Sequence, residues 1–300
     1  MSTSERRTYF YEQGYEKIIM CMSRTRNADY HHSSSDSRSS TKSLVLYKGE
    51  ELQYTNYYTV KSVSSSKKSV ISISKDKKKD YYANIKAKKT GKSTITIKTK
   101  YNTTKYNVTV KKMNFKVTYK QLASDKVLMC VKNNMKDTFE KVEFTYTLRN
   151  ASGETVQKKE TVVTDILPGK TSYTTISTYG TEVDASQCSA KFSLSSREPL
   201  TKYTSLNSKV KSTVTEESGD GYIELSIKLK NNTKSSSARG TVFILLYDSD
   251  NNVIGLKDIT VYGLDAGNVK TDEVRVYNSS YSEFASYDHY KIVPALYSKK

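Results

Sequence analysis

Three residues of the chain match the end of a nucleotide-binding loop: Gly91, Lys92 and Ser93. A phosphate-binding loop has the pattern G-x-x-x-x-G-K-[ST], and it needs a helix after it whose N-terminus holds the phosphate. The first glycine of that pattern would fall at position 86, which is Lys86. Residues 94–98 alternate between polar and apolar side chains, which predicts a half-buried strand instead of a helix. We therefore interpret Gly91 as a turn glycine that precedes a strand.

Other residues that could carry catalysis or bind a metal are few. The histidines are His31, His32 and His289, and neither G-x-S-x-G nor H-E-x-x-H occurs. His289 is far along the chain from Cys188, so the sequence does not pair them as a base and a nucleophile. Residues 248–252, "DSDNN", offer oxygen ligands at alternate positions but lack the glycine and the glutamate of a calcium loop. We expect a protein that is not an enzyme, with no catalytic residues, no metal site and no cofactor.

Lysine and tyrosine are concentrated in one stretch of the chain. The segments "KDKKKDYY" (75–82) and "KAKK" (86–89) could hold a polyanion by charge and stack a sugar or base on tyrosine. The alternative is a solubilising loop with no ligand. The candidate polyanion-binding residues are Lys77, Lys78, Lys79, Tyr81, Tyr82, Lys86, Lys88 and Lys89.

The whole chain is basic, with 49 Lys and Arg residues against 31 Asp and Glu residues and a net charge of +18. Such a charge attracts nucleic acid, anionic membranes or acidic cell-wall and matrix polymers without choosing among them. Lysine on exposed strands also protects sheet edges from aggregation, so part of the charge has a structural explanation. Nucleic acid is the less favoured partner, because the sequence contains no recognised nucleic-acid-binding module.

The elements that must position these residues are strands. The 25 tyrosines and many Val, Ile and Thr residues suit half-buried sheet surfaces, while Trp is absent and Pro occurs only 3 times. From Ser43 onward, short segments of period two alternate with turns, which predicts β-sandwiches. The first core is predicted to contain Val70, Ile73, Ile85, Ile95, Ile97, Val108 and Val110.

Residues 43–112 resemble a group 2 bacterial immunoglobulin-like domain. The resemblance rests on "SSSKKSVISIS", "IKAKKTGKSTITIKT" and "YNVTV", and Gly91 occupies the turn glycine of that family. The chain departs from the family where Val63 replaces its usual tryptophan, and where "KDKKKDYYAN" replaces its short N-G turn. The resemblance implies an Ig-like fold and a secreted or cell-surface bacterial protein.

The remainder of the chain contains an internal repeat. "VKNNMK" (131–136) matches "LKNNTK" (229–234), and Gly169 aligns with Gly267. We place one β-sandwich at 113–197, a linker at 198–204 and a second β-sandwich at 205–300; both weakly resemble FxLYD-like modules of bacterial envelope proteins. Their predicted cores contain Val127, Met129, Val131, Val142, Phe144, Tyr146 and Leu148, and then Leu225, Ile227, Leu229, Val242, Ile244 and Leu246. The strand "TVFILLY" is apolar on both faces, which predicts a central strand or an outer face that a neighbouring domain covers.

The N-terminal segment and the cysteines complete the prediction. Residues 1–42 are predicted to be a disordered leader or linker, and no apolar run is long enough to span a membrane. No signal peptide is visible, which a misassigned start would explain. Three cysteines cannot all pair within the chain, and a Cys130–Cys188 bridge remains open.

The sequence thus predicts an all-β protein of three tandem Ig-like β-sandwich domains after a disordered N-terminal segment. We expect a non-catalytic, extracellular or cell-surface protein with an adhesion or spacer role and electrostatic binding to anionic cell-wall, matrix or host polymers. The alternatives are a purely structural or protein-partner-binding module of an envelope assembly and an intracellular nucleic-acid binder.

Overall fold

The computed structural model describes residues 19–20, 38–55, 58–122, 125–196, 203–277 and 287–299. These residues form strands, turns and one short 3-10 helix, and none of them lies in an α-helix. The strands make six sheets, which pack in pairs around three successive hydrophobic cores. The all-β fold class of tandem Ig-like sandwiches, predicted from the alternating segments, is therefore confirmed.

The first sandwich packs a sheet of order β1-β3-β6-β5 against a sheet of order β2-β8-β7-β4. Its strands are β1 (Ile19–Met20), β2 (Arg38–Tyr47), β3 (Glu51–Thr55), β4 (Val60–Ser65), β5 (Ile71–Lys75), β6 (Tyr82–Ala87), β7 (Gly91–Thr99) and β8 (Asn102–Lys111). The predicted core positions of this sandwich are buried, except Ile73, which is partly buried. Strand β7 starts at Gly91 (φ +144°) and continues to Thr99 as a strand, so no helix follows the Gly-Lys-Ser sequence.

Strand β2 begins before the domain start predicted at residue 43. Residues 38–42 pair in parallel with β8, from Arg38 beside Asn102 to Lys42 beside Tyr106. Backbone pairing does not require apolar side chains, so the polar composition of this segment did not reveal the strand. The rest of the leader predicted at 1–42 lies outside the described residues, except for β1.

The second sandwich packs a sheet of order β13-β10-β9 against a sheet of order β12-β11-β14. Its strands are β9 (Phe115–Gln121), β10 (Lys126–Asn133), β11 (Phe139–Arg149), β12 (Thr155–Ile166), β13 (Thr171–Ser177) and β14 (Ser189–Ser196), with the 3-10 helix at Ala185–Gln187. All seven core residues predicted for it are buried. The long alternation of β11 places Val142, Phe144, Tyr146 and Leu148 on its inner face.

The third sandwich packs a sheet of order β15-β21-β18-β19 against a sheet of order β16-β17-β20. Its strands are β15 (Tyr203–Ser205), β16 (Val210–Gly219), β17 (Tyr222–Asn231), β18 (Ala238–Tyr247), β19 (Val253–Leu264), β20 (Val269–Tyr277) and β21 (His289–Lys299). All six core residues predicted for it are buried. Strand β15 starts inside the linker predicted at 198–204, because Tyr203 pairs with Lys299 at the end of β21.

The repeated N-N sequences occupy equivalent positions in the second and third sandwiches. The buried Asn133 side chain donates to the carbonyl oxygens of Asp137 (2.8 Å) and Ile166 (3.1 Å). Its counterpart Asn231 donates to the carbonyl oxygens of Ser236 (2.8 Å) and Leu264 (2.7 Å). Each asparagine therefore ties the end of one strand to the opposite sheet, in the same way in both units.

The junction between the first and second sandwiches is formed around Tyr47. Its ring lies 5.3 Å from that of Phe139, centroid to centroid, and Met113 belongs to the same buried cluster. The Tyr47 hydroxyl donates a hydrogen bond to Asp137. A residue at the end of β2 therefore completes the core of the next domain.

The junction between the second and third sandwiches is larger. The outer face of β10, with Leu128 and Cys130, packs against Leu245 of β18, and Leu167 packs with Phe243. Strand β18 is therefore both central in its sheet and covered on its outer face, which explains why it is apolar on both sides. Cys130 faces this junction, whereas Cys188 packs against the core of its own sandwich, and both are free thiols.

A buried polar network accompanies this junction. Asp165 accepts hydrogen bonds from the Thr241 hydroxyl (2.6 Å) and the Tyr297 hydroxyl (3.0 Å). Burial raises the pKa of the Asp165 carboxyl above its usual value, although the two hydrogen bonds act in the opposite direction. Nearby, Glu140 pairs with Lys299 at 2.9 Å across the same interface.

Candidate functional site

Three connections of the first sandwich meet at the end opposite Tyr47. They are residues 58–59 before β4, the β5–β6 connection and the β7–β8 connection, and the backbone N–H of Val60 donates to the carbonyl of Asp80 at 2.8 Å. The other end of β6 lies beside the turn at Gly49, whose N–H donates to the carbonyl of Ala87. We call the first end the distal tip, defined by Tyr58, Lys77, Lys78, Lys79, Tyr81, Tyr82, Lys100 and Tyr101.

Asp76 sets the shape of the β5–β6 loop at the distal tip. Its Oδ1 accepts hydrogen bonds from the backbone N–H groups of Lys78 (2.9 Å) and Lys79 (3.2 Å). Its Oδ2 accepts one from Asn84 Nδ2 at 3.2 Å. An aspartate that bonds to the backbone two residues ahead fixes a tight turn, and here Lys77, Lys78 and Lys79 remain exposed on it.

The tyrosines of the distal tip form two pairs. The rings of Tyr81 and Tyr82 lie 4.5 Å apart, and those of Tyr58 and Tyr101 lie 4.5 Å apart, centroid to centroid. Tyr81 is 43% exposed and Tyr101 is 53% exposed. Exposed rings with fixed neighbours offer flat apolar surfaces on which a sugar or a base can stack.

Ammonium groups lie against both tyrosine pairs. Lys79 Nζ is 5.4 Å from the centroid of Tyr82, and Lys100 Nζ is 5.3 Å from the centroid of Tyr101. These are cation–π distances, so each lysine is held beside a ring while its remaining donors face solvent. The distal tip therefore combines stacking surfaces with positive charge, which is the chemistry needed to bind an anionic polymer.

The predicted polyanion-binding residues do not all lie together. Lys77, Lys78, Lys79, Tyr81 and Tyr82 lie at the distal tip. Strand β6, which is 6 residues long, separates them from Lys88 and Lys89 by roughly 20 Å.

The two more distant lysines and Lys86 have different surroundings from the tip. The turn that carries Lys88 and Lys89 is bound to the carbonyl of Val70 near the junction end. Lys86 projects from β6 and pairs with Glu51 at 2.5 Å, so a carboxylate offsets its charge. These three lysines are therefore not part of the distal tip.

Three residues of the distal tip were missed by the sequence interpretation: Tyr58, Lys100 and Tyr101. The available signal was a lysine followed by a tyrosine in the "TKYNTT" turn, which resembles the lysines and tyrosines of the β5–β6 loop. What the sequence does not reveal is that these turns meet in space. That proximity depends on the order of strands in two different sheets.

The other residues that could take part in catalysis or metal binding lie outside the distal tip. His289 Nδ1 lies 2.9 Å from Asp288 Oδ2, and its ring stacks on Tyr247. Asp248 accepts hydrogen bonds from the N–H groups of Asp250 and Asn252, which closes the β18–β19 hairpin. Within the described ranges, no group of three or more His, Cys, Asp or Glu residues is placed to hold a metal ion. No helix in that part of the chain is long and apolar enough to cross a membrane.

Comparison with known proteins gives a loose likeness to other tandem β-sandwich proteins. The I9–I11 tandem of titin is similar over 88% of this chain and 95% of that one, with 10% identity and a TM-score of 0.21. The CBM22-1–CBM22-2 tandem of Xyn10C from Paenibacillus barcinonensis is similar over 86% and 92%, with 9% identity and a TM-score of 0.14. TM-scores this low carry no argument about function.

At the level of sequence, no protein-family model matches the chain. No curated protein matches it significantly either. The resemblance of residues 43–112 to group 2 bacterial Ig-like domains therefore stays a prediction. The coarser description as a tandem of Ig-like sandwiches rests on the strand pairing.

Proposed function

We propose that this chain is a non-catalytic protein of the bacterial cell surface or exterior that binds anionic cell-wall or matrix polysaccharide through the distal tip. The tandem sandwiches supply a scaffold with an adhesion or spacer role, since such folds carry no chemistry of their own. The proposal concerns the loops at one end of the first sandwich and requires no cofactor.

The observation that supports this proposal is the meeting of two lysine–tyrosine clusters at the distal tip. Lys79 with Tyr82 comes from one loop, and Lys100 with Tyr101 comes from another. A neutral sugar-binding surface does not need the ammonium groups, and a purely electrostatic surface does not need exposed rings. Acidic polysaccharide offers both a ring face for stacking and a negative charge for the ammonium groups.

The experiment is co-sedimentation of the full chain with purified cell walls across a salt series, before and after removal of their anionic polymers. We expect sedimentation at low salt that decreases with added salt and is lost on stripped walls, because screening weakens exposed charge interactions. Sedimentation that is equal on intact and stripped walls would contradict an anionic ligand.

Two matched variants locate the binding surface. Lys77→Gln with Lys78→Gln removes two charges from the distal tip, and Lys88→Gln with Lys89→Gln removes the same charge from the opposite end of β6. The first variant should lose most of the binding at low salt, and the second should bind like the parent. If the two variants lose binding equally, only the net charge matters, and the distal tip is not a site.

A second candidate function is a rigid structural spacer within an envelope assembly. The observation that favours it is that both junctions are buried: Tyr47 completes the next core, and β18 is covered by the second sandwich. Small-angle scattering of the full chain would test this candidate. A single extended or bent shape would support it, and a broad distribution of shapes would contradict it.

A further inference from the structure

A cleft of about 260 Å³ opens where the second and third sandwiches meet. We call it the junction cleft. One wall comes from β9, β10 and β13 of the second sandwich, and the other comes from β18 and the start of β19 in the third. It lies in different sandwiches from the distal tip and plays no part in the function proposed above.

Three lysines of the second sandwich line the junction cleft: Lys116, Lys120 and Lys132. Lys116, Thr118 and Lys120 occupy every second position of β9, so their side chains lie on the same face of the sheet. Lys132 lies directly opposite Lys116 in the pairing of β10 with β9. Like charges opposite each other on neighbouring strands are destabilising, unless an anion lies between them.

The positive charge of the junction cleft is not compensated by neighbouring carboxylates. Among the residues that the structure describes, no carboxylate oxygen lies within 4.0 Å of the ammonium groups of these three lysines. A negative group that enters the junction cleft would therefore meet three ammonium groups without displacing an existing ion pair.

The floor and sides of the junction cleft are apolar and aromatic. Leu128 of the second sandwich and Leu245 and Val253 of the third are buried there. Tyr173 is held edge-on to Phe243 at 5.3 Å, and Tyr247 is stacked on His289 at 4.9 Å with an interplanar angle of 4°. The two tyrosine rings therefore have fixed orientations, which lowers the entropy cost of packing a ligand against them.

We propose that the junction cleft binds an acidic sugar, whose carboxylate or other anionic substituent contacts the three lysines while its ring packs on the tyrosines and the apolar floor. The hydroxyl groups of Thr118 and Thr171 line the same space and can bond to sugar hydroxyls. The volume is slightly below the range of drug-sized pockets, so it accommodates about one or two pyranose rings. The inference does not rest on the proposed function of the distal tip.

The test is isothermal titration calorimetry of the full chain at low salt with D-glucuronate, D-glucose and inorganic phosphate. We expect D-glucuronate to bind, and D-glucose and phosphate to bind at least about tenfold more weakly, since D-glucose lacks the charge and phosphate lacks the ring. Absence of D-glucuronate binding would overturn the proposal. Equal binding of phosphate would overturn it as well, because the cleft would then recognise charge alone.

Location is tested with Lys116→Gln plus Lys132→Gln, which removes the two exposed lysines that lie opposite each other on β9 and β10. This variant should weaken D-glucuronate binding at least about tenfold, whereas Lys77→Gln plus Lys78→Gln at the distal tip should leave it unchanged. In a Cys21→Ser, Cys188→Ser background, D-glucuronate should slow alkylation of Cys130, which lines the junction cleft. Unchanged affinity in the cleft variant, or alkylation of Cys130 that D-glucuronate does not slow, would refute the assignment.

Discussion

Replacing Asn133 by alanine should strongly destabilise the second sandwich. Asn133 is fully buried, and its amide donates to two backbone carbonyls while its Oδ1 accepts from the N–H of Met135 at 2.8 Å. Alanine removes these three hydrogen bonds at once. It also leaves the carbonyl of the buried Ile166 without this donor.

The expected loss follows from the number of bonds. Each hydrogen bond contributes about 1 kcal/mol net, and a buried polar group left unsatisfied costs about 1–3 kcal/mol, so three lost bonds and one unsatisfied carbonyl total about 4–6 kcal/mol. The free energy of unfolding falls by about 1–3 kcal/mol per molar urea, so the urea midpoint of the affected transition should fall by at least about 1 M. This is a large share of the stability of a small domain.

The chain provides its own control at the next position. Asn134 belongs to the same N-N pair but is exposed, so Asn134→Ala should change the free energy of unfolding by less than about 0.5 kcal/mol. Because a chain of several domains need not unfold in one step, the assay is urea unfolding combined with hydrogen exchange resolved by peptide. Equal effects of Asn133→Ala and Asn134→Ala would refute the reasoning, since they would show that the buried bonds contribute nothing.

Two further predictions concern the third sandwich and its junction. Gly240→Ala should destabilise the third sandwich by about 2–5 kcal/mol in urea unfolding, because Gly240 has φ +125° and a Cβ there would lie 2.2 Å from the carbonyl oxygen of Ala295. Asp165→Asn should raise the urea midpoint at neutral pH. The raised pKa of Asp165 means that the folded state holds the proton more tightly, so stability is lost as the pH rises through that pKa, and asparagine abolishes this loss.

Each of these predictions has a comparison that isolates its cause. For Gly240→Ala the control is Gly263→Ala, where the nearest atom to a new Cβ is Ser237 Oγ at 3.6 Å and no strain is expected. For Asp165→Asn, the gap in unfolding free energy between variant and parent should widen as the pH rises above the usual carboxyl pKa of about 4. A gap that stays constant as the pH rises would show that burial of the Asp165 charge is not the cause.

Much of the fold could be predicted from the sequence because the sequence patterns that indicate it are local. Alternation along β11 assigned the inner face from Val142 to Leu148, and the N-N repeat aligned Asn133 with Asn231. The residues of β18 are apolar on both faces, which predicted a central strand or a covered outer face, and the structure shows both. These signals depend on neighbours within one strand or on one repeated turn.

The candidate site was harder to predict from the sequence because it depends on distant parts of the chain. The distal tip unites Tyr82 with Tyr101 only through the order of strands in two sheets. Conversely, Lys79 and Lys89 are close in sequence but lie at opposite ends of β6. The junction cleft is more remote still, since Lys116 and Tyr247 belong to different sandwiches and no local pattern connects them.

The lysines that give the chain its positive charge therefore have different surroundings in different parts of the fold. Lys86 is offset by Glu51, so its charge has a partner within the protein. Lys79 lies against a tyrosine ring at the distal tip. Lys116 lies beside Lys132 on neighbouring strands of one wall of the junction cleft, and in the described residues no carboxylate oxygen lies within 4.0 Å of either ammonium group. An excess of lysine indicates that anions are attracted, but it does not locate a binding surface. Binding is expected where the fold leaves ammonium groups beside fixed aromatic rings and without an acidic partner, because only there does a ligand supply the missing charge.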